Sequence, residues 1–436
     1  MVTRSDDRDL MCQPADCSLR EAVKAANMNP GPDSILFATG LSVIQIREIT
    51  FAGSDPTTIL GPGANVLEIR GMGARLFQVD GANLTLSGLS LAYGASSSAT
   101  SSGVGGAILG TNSTIHIDGV YLHDNRSDYM GGAIGSMGTG DLKVINSTFY
   151  NNSGCCGGAI ISETPLTVDN STIYGNVARD DLDGGGAIQA YADLTIRNST
   201  ITDNRGDLGG GVVKYNLGKV TIGNSIIAGN RLGPSGCYCA YPEMQIYPAE
   251  SFLSLGGNII GDNPGDAPTY VGYQITDRLD IDPILGALQN NGGPMPTVRL
   301  LAGSPAIDRG IDSIAEDAML ISDQRGSLYA RIADGDLDGI ASVDIGAFEL
   351  RLRANVNGRV LTATGLGLRN ATVTLMDMQS GVIQNVTTSS FGYYAFENIP
   401  VDRSYTIAVG SRRFRFAPRN LQLVNDLTGI DFIGGE

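Results

Sequence analysis

Tryptophan is absent from this chain of 436 residues, and aromatic residues make up only 6% of it. Wide globular cores draw on bulky aromatics, so the scarcity points to a narrow interior filled by aliphatic side chains. Lysine is nearly missing as well, at four positions (Lys24, Lys143, Lys214 and Lys219), and the formal charge is −16. An acidic surface of this kind repels nucleic acid and anionic lipid, which sets both aside as partners. No apolar run reaches the roughly 18 residues of a membrane-spanning helix, so no span is expected. The opening Met1-Val2-Thr3-Arg4-Ser5-Asp6-Asp7 lacks the apolar segment of a secretory leader. The expectation is either a removed leader with an added start Met, or a fragment.

Histidine occurs only at His116 and His123. Both fall between inward-facing positions of one repeat, so each is read as outward and solvated rather than catalytic. The six cysteines form three close pairs, Cys12 with Cys17, Cys155 with Cys156, and Cys237 with Cys239. Pairs separated by several repeats cannot converge on zinc. A Cys12–Cys17 disulfide is expected in an oxidising compartment, and Cys237–Cys239 is a candidate bridge. The pairing of Cys155 and Cys156 stays open, because bridges between adjacent or nearly adjacent residues are strained.

What the chain does contain is a repeat. Gly106-Ala107-Ile108 returns as Gly132-Ala133-Ile134, Gly158-Ala159-Ile160, Gly186-Ala187-Ile188 and Gly211-Val212-Val213, with copies every 24 to 28 residues. In a second register Gly119, Asn146, Asn170, Asn198 and Asn224 are each followed six positions later by Asn125, Asn152, Asn176, Asn204 and Asn230. A unit this short cannot bury its own apolar face and must stack on its neighbours. Leu84, Ile115, Leu142, Leu166, Leu194 and Val220 form one aliphatic column, with a second two residues on, the spacing of one strand face. Leu91, Leu122, Phe149, Ile173, Ile201 and Ile227 lie beyond the Asn or Gly corner and supply a second strand, and the Ala-Ile column a third. Three short strands per coil predict a parallel β-helix, with Asn125, Asn152, Asn176, Asn204 and Asn230 as a corner ladder of side-chain amides.

Residues 1–33 read as a cap: Leu19, Ala22, Val23 and Ala26 form the apolar side of a short helix stopped by Asn29-Pro30-Gly31. The β-helix is assigned to residues 34–350, with strands near 35–37, 44–49, 57–60 and 66–69, a surface loop over 95–103 and an irregular closing segment. After Leu350 short alternating strands predict a small β-sandwich over 351–436. That stretch contains no Lys, which excludes a Lys–Asn isopeptide cross-link.

Arg126-Ser127-Asp128, Arg179-Asp180-Asp181 and Arg205-Gly206-Asp207 place an Arg-x-Asp triplet in three coils. One reading is a strip docking a surface polysaccharide or protein through bidentate hydrogen bonds; the favoured one is that the charges pair with each other. Asp334-Gly335-Asp336-Leu337-Asp338-Gly339 matches the start of a calcium loop, with Asp344 near its end, and suggests a structural Ca2+. The sequons at Asn112, Asn146, Asn170 and Asn198 are read as structural.

The Cys17-Ser18-Leu19-Arg20-Glu21-Ala22-Val23 segment, the Asn-Ser-Thr strands, Gly303-Ser304-Pro305-Ala306-Ile307-Asp308 and Asp344-Ile345-Gly346-Ala347-Phe348-Glu349 together resemble bacterial extracellular right-handed parallel β-helix proteins of the CSLREA and choice-of-anchor type. Gly358-Arg359-Val360, residues 371–375 and Ser390-Phe391-Gly392-Tyr393-Tyr394-Ala395-Phe396 resemble the carboxypeptidase regulatory-like, transthyretin-type domain. The resemblance implies an all-β chain: a right-handed parallel β-helix with a capping helix, then a small antiparallel sandwich, secreted or at the surface of a bacterium. No catalytic residue is assigned, since neither the calcium-and-base constellation of a lyase nor the Gly-His-Gly and Arg-x-Lys signature of a β-helical hydrolase occurs. The expected role is structural or adhesive, with self-association into fibres, against a polysaccharide lyase, glycosidase or carbohydrate-binding module as the rival.

Overall fold

The computed structural model describes residues 1–53, 55–97, 103–179, 184–216, 218–234, 241–261, 272–401, 403–424 and 426–435. The chain divides into two compact units, Met1–Ile332 with Ser342–Glu349, and Ala333–Ala341 with Leu350–Glu436.

The first unit begins with the helix Leu19–Met28. Ser18 accepts the Glu21 N–H at 3.2 Å, and the Glu21 carboxylate accepts the Ser18 N–H at 2.9 Å. This reciprocal pair satisfies two of the backbone donors a helix start leaves open. Leu19, Ala22, Val23 and Ala26 are buried in the same core as Ile35, Ile44 and Ile59, so the helix closes the end of the coils. Cys12 and Cys17 form the expected disulfide. The strand expected over 44–49 is two, Val43–Ile46 and Ile49–Ala52. The chain turns at Arg47 and Glu48, whose carbonyls accept from Arg20 at 3.0 and 2.9 Å.

From there on, parallel strands stack in register. Leu84, Ile115, Leu142, Leu166, Leu194, Val220 and Phe252 are direct partners in successive coils. Leu91, Leu122, Phe149, Ile173, Ile201, Ile227 and Ile260 do the same in a second sheet. These columns are buried in one continuous core. Each such side chain removed from water contributes roughly 1.5–3 kcal/mol, so aliphatic stacking, repeated coil after coil, drives the fold. The Ala-Ile strands join the first column in one 15-stranded sheet, because Ile108–Asp118 and Ile134–Ile145 run through both positions, with a shift in register between Thr111 and Ser113. A sheet of two-residue strands, among them Ala95–Ser96, Arg126–Ser127 and Arg205–Gly206, adds a wall that the sequence reading left as corner. Ala95 and Ser96 are therefore strand rather than loop.

The closing segment lies against the outside of the second sheet. Thr148 donates to the Pro296 carbonyl at 2.8 Å, Gln324 donates to the Ser147 carbonyl at 2.9 Å, and Thr200 accepts from Ala347 N–H at 3.0 Å.

The second unit carries a three-stranded and a four-stranded sheet. Val356, Val360 and Phe396 from one share a buried cluster with Val373, Leu375 and Ile407 from the other. The strands Ile383–Thr387 and Arg419–Leu423 have mostly exposed side chains and carry little periodic signal in the sequence.

Candidate functional site

The most ordered polar feature is the corner ladder. Asn125 donates to Asn152 at 3.0 Å, Asn152 to Asn176, Asn176 to Asn204 and Asn204 to Asn230, each at 2.9 Å. Each of the upper four also takes its neighbour's amide oxygen on its backbone N–H, and each of the five gives Nδ2 to a carbonyl further up, from Leu91 for Asn125 to Ile201 for Asn230. At the lower end Glu243, 2% exposed, accepts Asn230 Nδ2 at 2.7 Å and the Gly229 N–H at 2.9 Å. Glu243 was not foreseen: pairing puts it at the level of Ala187 and Gly211, but the Gly-Ala-Ile step that marks this column is gone from its coil.

A second ladder runs along the other Asn register. Ser147, Ser171, Ser199 and Ser225 each accept the backbone N–H of the coil before, at 3.1 to 3.3 Å, and Asn258 accepts from Ser225 N–H at 2.9 Å. The residues just ahead, Asn146, Asn170, Asn198 and Asn224, sit at φ of 48 to 49°, a left-handed conformation that Asn tolerates better than most residues. Three of the four sequons therefore belong to these corners, and Asn170 and Asn198 are fully buried.

The Arg-x-Asp strip does not align. Arg126, Ser153, Val177, Arg205 and Arg231 stand in one column, so Val177, not Arg179, takes the arginine position of its coil. Arg179 lies two residues on and donates to the Ser127 carbonyl at 2.6 Å. Arg126 reaches its own Asp128 at 3.4 Å, Asp207 is buried, and Asp181 lies outside the described residues. His123 corrects a second expectation. It does face outward, but stacks on Tyr121 at 4.3 Å, bonds Asp124 at 2.7 Å and is 9% exposed. His116 is half-buried, and burial with nearby Lys143 disfavours its charged form.

In the acidic loop, Asp334 accepts the Gly339 N–H at 3.0 Å, Asp336 that of Asp338 at 3.1 Å, and Asp338 that of Ile340 at 2.8 Å. Asp344 belongs to the first unit instead. There Asp344 accepts the Asp308 N–H at 2.7 Å and gives its own N–H to Glu349 at 3.0 Å. Carboxylate oxygens of Asp308, Asp344 and Glu349 come within 4.8 Å of one another, all three residues buried, with Arg331 3.8 Å from Glu349. Burial and the neighbouring Asp344 hold the Glu349 carboxyl well above the usual range. Arg331 also donates to the Asp344 and Gly346 carbonyls at 2.9 and 2.6 Å, tying the closing motifs together. Cys155 and Cys156 hold their sulfurs 3.3 Å apart, and Cys237 and Cys239 lie outside the described residues.

A cleft of about 660 Å3 opens at the foot of the Asn ladder, lined among others by Thr202, Arg231, Glu243, Asp280, Asp282 and Pro283. Arg231 pairs with Asp203 at 2.8 Å beside it.

Stacked coils with aliphatic columns and corner ladders define a parallel β-helix, here followed by a small sandwich. Residues 77–253 match the model of the right handed beta helix region, and residues 355–430 that of the carboxypeptidase regulatory-like domain. No curated protein matches the chain. The two domain types together fit an extracellular or surface protein. No helix among the described residues is long and apolar enough to cross a membrane.

Proposed function

We propose that this protein is a non-enzymatic secreted or cell-surface component with a structural or adhesive role, a subunit of an extracellular filament or matrix. The observation that carries the reading is where the repeat's polar side chains go. Asn125, Asn152, Asn176, Asn204 and Asn230 are buried in bonds between coils, whereas catalysis needs titratable groups poised at open space. Among the charges outside the ladder, Arg197 pairs with Asp169 at 2.8 Å and Arg231 with Asp203 at 2.8 Å. The test is incubation of the full chain with pectin, alginate and a glycosaminoglycan, together with immunogold labelling of intact source cells. Surface label and no new unsaturated or reducing ends are expected. Chain cleavage of any of the three polymers, or label confined to the cell interior, removes the reading.

The acidic loop bears on the same proposal. Asp334 Oδ1 is buried without a hydrogen-bond partner among the described residues, and Asp334 and Asp336 bring carboxylate oxygens within 4.8 Å, which suits a shared cation; Asp338, expected as a third ligand, takes the Ile340 N–H and does not join them. A structural Ca2+ there raises the melting midpoint; a midpoint unmoved at millimolar calcium removes it. The second reading, a polysaccharide lyase, glycosidase or carbohydrate-binding module, is favoured by the cleft holding Arg231, Asp280 and Asp282. It requires depolymerisation or glycan binding that Asp282→Asn abolishes.

A further inference from the structure

Cys155 and Cys156 follow the two-residue strand Ser153–Gly154 and precede the Gly157-Gly158-Ala159-Ile160 step. Consecutive side chains of an extended strand point to opposite faces, which would hold the sulfurs far apart. Here they are 3.3 Å apart, so the chain has already turned to place both thiols on one side. The corner is fixed by its neighbour coil: the Cys155 N–H donates to the Tyr129 carbonyl at 2.6 Å, and the Cys156 carbonyl accepts the Gly131 N–H at 2.8 Å. Cys155 is 4% exposed, while Cys156 is half-buried against Val104, Leu109 and Ile161. Bond formation at about 2.05 Å needs the sulfurs to approach by only about 1.2 Å. The chain also carries the Cys12–Cys17 disulfide, a bond that persists where thiols are oxidised.

We propose that Cys155 and Cys156 are a redox-reversible modification site that closes to a vicinal disulfide and pins this corner of the coil. The more accessible Cys156 thiolate attacks a low-molecular-weight disulfide such as glutathione disulfide, forming a mixed disulfide and releasing one thiolate. The Cys155 thiolate then attacks the Cys156 sulfur and expels the second. Two protons leave the protein, and the reagent takes up the two electrons. Adjacent Cα atoms are about 3.8 Å apart, below the usual span of a disulfide, so the bridge is strained and opens under milder reduction than Cys12–Cys17.

Trypsin isolates both cysteines in residues 144–179 and no other cysteine with them. The full chain is equilibrated with glutathione disulfide, unfolded in guanidinium with an alkylating agent but no reductant, and digested. Unfolding ensures that burial does not mimic protection. Expected is peptide 144–179 unalkylated and lighter than its reduced form by two hydrogens, opening at a lower dithiothreitol concentration than the peptide bearing Cys12 and Cys17. In Cys155→Ser, Cys156 is expected to be alkylated or to carry glutathione. The proposal is overturned if 144–179 of the native sequence is alkylated at both cysteines, carries glutathione, or is joined to another peptide. Opening no more easily than Cys12–Cys17 overturns the reversibility.

Discussion

Glu21 and Glu349 are both 1% exposed, yet their surroundings push their protons in opposite directions. Glu21 accepts a forked pair of bonds from Arg8 at 2.7 and 3.0 Å, plus the Ser18 and Leu10 N–H groups, and its carboxyl is brought down to about 2. A folded value below the unfolded one gives stability that is complete above about pH 4.3 and is lost as pH falls toward the folded value. Glu21→Gln is therefore expected to lower stability at pH 7 by about 2 kcal/mol, since Arg8 loses its buried counter-charge. The deficit shrinks as pH approaches 2, a trend that urea melts at pH 7, 4 and 2.5 read directly. Glu349 is the reverse case: burial and then Asp344 raise it, with Arg331 only partly offsetting them. Its folded form holds the proton more tightly, so its stability is complete below about pH 4.3 and drains as pH rises toward the folded value. Glu349→Gln keeps an oxygen for the Asp344 N–H and removes the charge. The variant should match the parent at pH 4 and melt a few degrees higher at pH 8; a lower midpoint at pH 8 would mean that the ion pair with Arg331 outweighs desolvation.

At the scale of the coil, the ladder makes a steeper demand than any single aliphatic contact. Asn176 is fully buried, and its amide serves Asn152, Asn204 and the Phe149 carbonyl. Asn176→Ala strands the Asn152 donors and the Phe149 carbonyl at about 1–3 kcal/mol each, so a loss of about 3–5 kcal/mol is expected. Asn170, at φ +49° in the other register, separates two causes. Asn170→Gly keeps the left-handed turn and loses only the side chain's bonds, while Asn170→Ala adds roughly 1–2 kcal/mol of backbone strain. Denaturant melts that rank Ala above Gly in stability would refute the turn argument. The same distinction explains what could be read in advance. Aliphatic columns and Asn125 to Asn230 were legible because the same kind of side chain recurs at the same level of successive coils. The serine ladder was present too, as the Ser after each Asn from Asn146 to Asn224, but the structural reading of these corners rested on the Asn and left the neighbouring hydroxyl without a role. Glu243 occurs once and announces nothing. Arg179 was misplaced because its triplet, like those of Arg126 and Arg205, was aligned by sequence likeness, whereas pairing counts residues from the Asn corner, which puts Val177 in that column.

For the whole molecule, charge decides when copies can meet. A formal −16 over 436 residues, with a sequence pI near 4.5, makes every approach between copies repulsive at neutral pH. Open strand edges can nevertheless accept a neighbour's strand, and screening sets the balance: the Debye length falls from about 30 Å at 0.01 M salt to about 8 Å at 0.15 M. If the protein is a filament subunit, association should rise at least several-fold over that interval and again as pH drops from 7.5 toward 5. Calcium at millimolar concentration should promote it beyond ionic strength alone, by neutralising acidic loops such as Asp334-Gly335-Asp336-Leu337-Asp338. Light scattering against concentration at each salt and pH, with negative-stain images of the same samples, measures all three. Elution as a monomer throughout, including the highest salt and calcium, eliminates the filament role. An adhesive role of single molecules would remain, because binding a surface partner does not require copies to overcome their mutual repulsion.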